Sequence, residues 1–444
     1  MIPLLITLAL LQVETGATAD ASASESPATL LIDEVQRIGA RVELLRGESF
    51  ARPLDAIRVP DDIREAAAEI RALNVLPRKR LQARDRAWSD LGLGGPDSAR
   101  NLLLTLAADL DDIGLDPHGR QLLVSLDRLH SADFEPTSRP DDPATVLLLT
   151  GMRPDEPLVC HLLAHVRQRE RSGKDALEET TDRLLASMAW AEGEANLMAV
   201  RYLFEEIEVG TDVLLLVQDP GDVLDGSLLP SNLRRLRGAE VALAAFVYQE
   251  GFKQAVELYR AGGWETLNQG MVERRTTRDL LHPELPALPS ADFPESPAPP
   301  TDGVRLVDVD TLGEQAIVVL VSTLTGKDSL GLLAGDGWAG DRLYRWEPEK
   351  GPGEGGTEWI TRWTTSGTEH VRSAAETAAD FDYAFGRTLE SRFPGRALEP
   401  HGDGVRTLTT LERVYRIERS GAEVRVRVAP LAWQEATRQS AGDP

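Results

Sequence analysis

Seven prolines fall between positions 283 and 300, at 283, 286, 289, 294, 297, 299 and 300. Each proline fixes its own φ and removes an amide donor, so a run of this density can neither hold a helix nor sit inside a sheet. It favours an extended, semi-rigid connector. The run therefore divides the chain: residues 30–282 before it, a linker over 283–303, a module over 304–430 and a tail over 431–444. A length of 444 residues is ample for two or three domains with real cores.

Patterning on either side gives the fold class. Residues 30–129 are mainly helical in period: Asp61 and Asp62 follow Pro60 and open a helix to Leu73 that Pro77 stops. Asp97 or Ser98 opens another to about Asp112, and a strand over 121–125 follows the turn Asp116-Pro117-His118-Gly119. Strand-like runs recur at 145–150 and 209–218; helices are expected over 158–171, 178–208 and 236–260, the last halted by Gly262-Gly263 with a short helix beyond. After the prolines come a helix at 311–324, strands at 342–346 and 358–364, and a helix at 369–392. The runs 414–418 and 424–428 flank Ser420-Gly421 as a hairpin. The Gly-rich stretches 335–340 and 351–356 read as turns without the spacing of a phosphate loop. The expectation is α+β: a mostly helical domain with a small sheet, then a small α+β C-terminal module.

Composition excludes some function classes. The net charge is −24, which argues against coating nucleic acid or adhering to anionic lipid. A single cysteine, Cys160, excludes an internal disulfide and any multi-thiolate metal site, so metal chemistry would have to rest on histidine and carboxylate. At the N-terminus an apolar run, Ile2 to Val13, precedes Ala17-Thr18-Ala19. It reads as a signal peptide over 1–19, followed by an Ala/Ser-rich disordered leader over 20–29, and implies an exported protein. No other run reaches the length of a membrane span, so none is expected in the mature chain.

Chemistry concentrates in Val159-Cys160-His161-Leu162-Leu163-Ala164-His165-Val166. His161 and His165 are four apart, on one helical face, the spacing that offers two imidazoles to one tetrahedral zinc. Two histidines satisfied by hydrogen bonds inside a core would have the same spacing. Glu192, in Trp190-Ala191-Glu192-Gly193-Glu194-Ala195-Asn196, lies on a second expected helix and can serve as third ligand. Asn196, one turn on, can hydrogen-bond a ligand from outside the metal shell. Cys160 faces about 100° from His161 and reads as a buried small hydrophobe. Tyr248 and His282 are candidate oxyanion donors.

These residues resemble a family of exported bacterial zinc metallopeptidases of the gluzincin type, which carry HExxH-x-x-Q on one helix and an EGDA-like motif on the next. His161, His165 and Gln168 stand in register with the first motif, and Glu192-Gly193-Glu194-Ala195 with the second. Further similar runs are Gly114-Leu115-Asp116-Pro117 with Leu122-Leu123-Val124, Phe246 to Phe252, Gly262-Gly263-Trp264, Leu281-His282-Pro283-Glu284, Asp310 to Glu314 and Gly337 to Arg342. Together they span roughly residues 30 to 430. The resemblance implies a zincin-like fold over 30–282 and zinc on His161, His165 and Glu192. One departure governs its functional meaning. Leu162 occupies the place of the family's glutamate, the general base, and loss of a positioned base costs about 10²–10⁴-fold. Glu194, about 200° round the helix from Glu192, and Glu156, ahead of the histidine helix, are the nearest carboxylates that could be considered as substitutes. The reading is a pseudoenzyme that works by binding a peptide or protein partner. The alternatives are an active zinc hydrolase with an unusual base, and a metal-free structural or interaction protein of the envelope.

Overall fold

The computed structural model describes residues 27–107, 113–116, 118–125, 156–172, 180–206, 236–273, 275–286, 288, 291–295, 297–350, 354–365, 371–402 and 404–433. The expected signal peptide, most of the leader and the strand-like runs at 145–150 and 209–218 lie outside these residues.

Apolar residues at helical spacing build the first layer. Leu31, Val35, Ile38, Val42 and Leu45 make one buried stripe on α1 (Pro27–Arg46). That helix begins inside the expected leader. Its stripe packs on α5 (Glu156–Ser172) and α6 (Thr181–Glu206), the two helices that carry the histidines and Glu192. Beside them lies a three-stranded sheet of order β1-β3-β2. In it β1 (Asp55–Val59) runs parallel to β3 (Gln121–Ser125), and β2 (Ile113–Leu115) antiparallel to it.

Helices α2 (Asp61–Val75), α3 (Arg78–Leu91) and α4 (Ser98–Ala107) follow the expected signals. Asp61 and Asp62 sit in the first turn of α2, where carboxylates complement the helix dipole. Gly92 closes α3 in the left-handed conformation. The carboxylate of Asp85 accepts from the Ala99 and Arg100 amides and so caps α4 from a neighbouring helix. Helix α7 (Ala239–Glu273) continues past the expected stop, but Gly262 and Gly263 break its dihedrals, so the halves on either side are separately directed. Helix α8 (Thr277–Leu281) opens with a Thr276–Asp279 capping box.

Beyond the prolines the chain forms a seven-stranded sheet with order β4-β5-β6-β10-β9-β8-β7. Its members are β4 (Val304–Asp310), β5 (Trp338–Pro348), β6 (Gly356–Trp363), β7 (Glu399–Pro400), β8 (Val405–Thr409), β9 (Arg413–Ser420) and β10 (Glu423–Pro430). Its neighbours pair antiparallel. The expected hairpin is β9–β10, closed with Ser420 opposite Glu423. Helices α9 (Gly313–Thr325), α10 (Asp328–Gly335) and α11 (Ala374–Arg392) accompany it. Phe381 and Phe385 of α11 pack edge-on against Trp359 of the sheet. The stretch 335–340, expected as a turn, holds the end of α10 and the start of β5. The architecture is α+β.

One hydrophobic cluster runs across the proline segment, joining Trp88, Leu103, Leu185 and Leu243 to Ile317, Trp359 and Phe381. Polar seams reinforce it: Arg84 pairs with Asp308 and Asp310, and Arg345 with Asp90. The proline segment lies along the sheet, where Tyr344 donates to the Pro294 carbonyl and Phe293 joins a small apolar cluster. No helix among the described residues is long and apolar enough to cross a membrane.

Candidate metal centre

Helix α5 sets His161, His165 and Gln168 on one face at i, i+4 and i+7. The 26-residue helix α6 brings Glu192 against that face. A close crossing of α6 and α7 fixes its position. A Cβ on Gly193 would lie 2.2 Å from the Gly251 carbonyl oxygen, and one on Gly251 would lie 2.0 Å from the Ala189 oxygen. Glycine is required at both positions, because the two backbones touch there. The glycine of the expected second motif thus seats the helix that carries Glu192.

The three residues converge. His165 Nε2 lies 3.0 Å from His161 Nε2. Glu192 Oε2 lies 3.3 Å from His161 Nε2, and Oε1 lies 3.5 Å from His165 Nε2. His161 and Glu192 are each 5% exposed, so solvent barely competes for these atoms. Burial would push the Glu192 carboxyl up, but the imidazoles of His165 and His161 beside it outweigh burial and hold it down at about 2. Glu192 is therefore ionised at neutral pH.

A tetrahedral ion with bonds of about 2.0–2.1 Å places its ligand atoms about 3.3 Å apart, the edge of that tetrahedron. The 3.0 Å between the imidazole nitrogens, and the 3.3 and 3.5 Å from them to the two different oxygens of Glu192, lie around this value. The two contacts to Glu192 are long for charge-assisted hydrogen bonds, which run about 2.7–2.9 Å, while the imidazole pair stands at ordinary hydrogen-bond distance. Glu192 Oε2 is buried with no hydrogen-bond partner among the described residues, and so is Asn196 Nδ2 one turn along the same face. Donor set, spacing and unbonded oxygen all fit a divalent cation, and the buried group of His161, His165 and Glu192 can hold one.

The remaining candidates are held as follows. Leu162 is fully buried in the cluster formed by α1, α5 and α6. Glu156 accepts from Tyr202 at 2.5 Å and pairs with Arg37 at 2.8 Å. Cys160 is fully buried, its thiol pushed up by burial, with Sγ 3.7 Å from the Met198 carbonyl. Tyr248 is buried within α7. His282 pairs with Glu314 at 2.7 Å, and that bond raises its pKa.

Behind His165 lies a layer in which the motifs place Gln168 and Glu194 without assigning them this role. Gln168 Oε1 lies 2.9 Å from His165 Nδ1, and its Nε2 lies 2.9 Å from the Ala191 carbonyl and 3.1 Å from Glu194 Oε2. Glu194 is gripped by Arg171 at 2.7 Å and by Arg46 at 3.0 Å. Burial opposes ionisation of Glu194; the bond and charge of Arg171 prevail and lower its pKa. Gln168 belongs to the first motif and Glu194 to the second. Arg46, 148 residues from Glu194, carries no local signal.

A family described only as a domain of unknown function (DUF8575) matches residues 304–437. That match begins at the first residue of β4 and lies outside the histidine helices. No curated protein and no solved structure matches the chain.

Proposed function

We propose that this chain is an exported metallopeptidase-like protein that holds zinc at His161, His165 and Glu192 and acts by binding a peptide or protein partner. The observation that carries the reading is the buried convergence of two imidazole nitrogens, 3.0 Å apart, on the Glu192 carboxylate, whose Oε2 and Oε1 lie 3.3 and 3.5 Å from them and whose Oε2 has no hydrogen-bond partner among the described residues. Two imidazoles and a carboxylate are a donor set that suits zinc. When bound, zinc supplies Lewis acidity. The chain's own residues hold and orient it: α5 gives both imidazoles, α6 gives the carboxylate, and Asn196 offers an unbonded amide donor from the same face.

Position 162 supplies no proton acceptor. Leu162 stands where the base would be and is packed in hydrocarbon. The two carboxylates considered as substitutes are both engaged, Glu194 by two arginines and Glu156 by Tyr202 and Arg37. This favours binding over the active-hydrolase reading. The exported location rests on the apolar run before Ala19.

The test is metal content by mass spectrometry on protein purified without chelator, alongside His161→Ala and Glu192→Gln, with a peptide-hydrolysis assay. Expected are one equivalent of zinc in the natural sequence, its loss in both variants, and no hydrolysis. Absence of metal would remove the zinc reading, and chelator-sensitive cleavage would replace binding with catalysis.

A further inference from the structure

We infer that Gln168 is a positioning residue: anchored by Glu194, it fixes which ring nitrogen of His165 carries the proton. The argument is one of donors and acceptors. One end of the Gln168 amide faces the Ala191 carbonyl and the Glu194 carboxylate, at 2.9 and 3.1 Å. Both are acceptors, so that end is the NH₂ group. The other end is then the carbonyl oxygen, 2.9 Å from His165 Nδ1. An amide oxygen only accepts, so Nδ1 carries a hydrogen, and in the neutral ring Nε2 then keeps its lone pair. That lone pair belongs to the atom 3.0 Å from His161 Nε2 and 3.5 Å from the Glu192 carboxylate.

The anchor is itself held. Arg171 and Arg46 reach the Glu194 carboxylate from α5 and α1, and both also donate to Asn268 on the second half of α7. Arg46 further stacks over Trp264, 4.4 Å from the ring centroid. Four helices thus orient one amide, and the amide orients one imidazole. The role rests on the metal reading only for its purpose; the tautomer assignment stands on the hydrogen bonds alone.

The experiment uses the full chain, ¹⁵N-labelled and freed of metal. Two-bond proton–nitrogen correlation spectra of the histidine rings report the tautomer. Zinc affinity is measured in parallel by competition with a chromophoric chelator, and thermal melts follow folding. The natural sequence should show His165 protonated on Nδ1. Gln168→Ala should shift His165 toward the Nε2-protonated form and weaken zinc binding by about 10–100-fold, the usual cost of losing an outer-shell partner. Gln168→Met, which keeps the volume but offers Nδ1 no acceptor, should shift His165 in the same direction as Gln168→Ala and weaken zinc binding comparably. That variant also carries the test if Gln168→Ala fails to fold. An Nε2-protonated His165 in the natural sequence, or zinc binding in Gln168→Ala equal to the natural sequence, would overturn the inference. So would a His165 that stays protonated on Nδ1 in Gln168→Met. A correct tautomer response in a chain that binds no zinc would refute the metal centre and leave the positioning role intact.

Discussion

Restoring a carboxylate at position 162 should cost stability without restoring catalysis. Leu162 is fully buried, surrounded by the cluster that includes Val159, Leu163, Ala195 and Met198. Replacing it with glutamate forfeits about 2 kcal/mol of apolar burial. The new carboxyl finds no vacant donor among those neighbours, and an unsatisfied buried polar group costs about 1–3 kcal/mol even when neutral. Together these give a loss of about 3–5 kcal/mol, large against a typical stability of about 5–15 kcal/mol. Leu162→Met conserves volume and should cost less than about 1.5 kcal/mol, which separates polarity from shape. The assay is denaturant unfolding of both variants beside the natural sequence, with zinc content and peptide hydrolysis on the same preparations. Leu162→Glu within about 1 kcal/mol of the natural sequence, together with new chelator-sensitive hydrolysis, would refute the reasoning; it would mean that position 162 faces an open cleft.

Gly193→Ala should separate α6 from α7, because its Cβ would sit 2.2 Å from a backbone oxygen that cannot move aside. Overpacking of this kind costs about 1–3 kcal/mol, and the neighbouring Glu192 should lose its alignment, so zinc content should fall with the melting temperature. Excess zinc at about 100 times its dissociation constant should stabilise the natural sequence by about 2.7 kcal/mol and leave Glu192→Gln unmoved, read by thermal shift. A third prediction concerns pH. Burial, with Asp341 and Asp279 adding, pushes the Asp182 carboxyl up to about 7 against two hydrogen bonds from Thr277. The folded chain then keeps a proton that the unfolded chain releases near pH 4, so this contribution is complete below about pH 4 and is lost as pH rises through about 7. Asp182→Asn preserves the acceptor for Thr277, and its melting temperature should fall less between pH 5 and pH 8 than that of the natural sequence. Equal slopes would rule out Asp182 as the source.

What could be read in advance was local. The two histidines share a helical face because four residues nearly complete a turn, and the spacing survives any tertiary arrangement. The hairpin around Gly421, the acidic first turn at Asp61 and Asp62, and the break at Gly262-Gly263 are likewise decided by nearest neighbours, although Pro60, with no side-chain bond, holds the N-cap where an Asp was expected. Elements that depend on distant partners were missed. Strand β1 is five residues long and half exposed, and it becomes a strand by pairing with β3 some 66 residues later. Strand β4 has a register shift between Leu306 and Asp308 that breaks its alternation. Helix α10 hides its period behind glycines, yet Gly331 sits where a Cβ would lie 2.6 Å from the Val318 carbonyl oxygen. At the site, Glu192 was legible from its motif. Arg46 was not, because only the folded chain brings α1 to Glu194.

The buried group also bears on why ligands and base can part company. As packing alone, His161, His165 and Glu192 are a poor solution. An ionised carboxylate within a largely closed interior loses several kcal/mol of hydration, and one of its oxygens here gains no hydrogen bond in return. Apolar residues of similar volume would serve a purely structural role at least as well. A cation at the centre removes both difficulties: it neutralises Glu192 and occupies the unbonded oxygen. None of this needs a proton acceptor at position 162. Binding depends on three converging atoms and the amide behind them; hydrolysis depends on a fourth group that, in this chain, is hydrocarbon. On the proposed reading, keeping the first three while leucine holds position 162 leaves a centre able to grip an ion with no proton acceptor at that position.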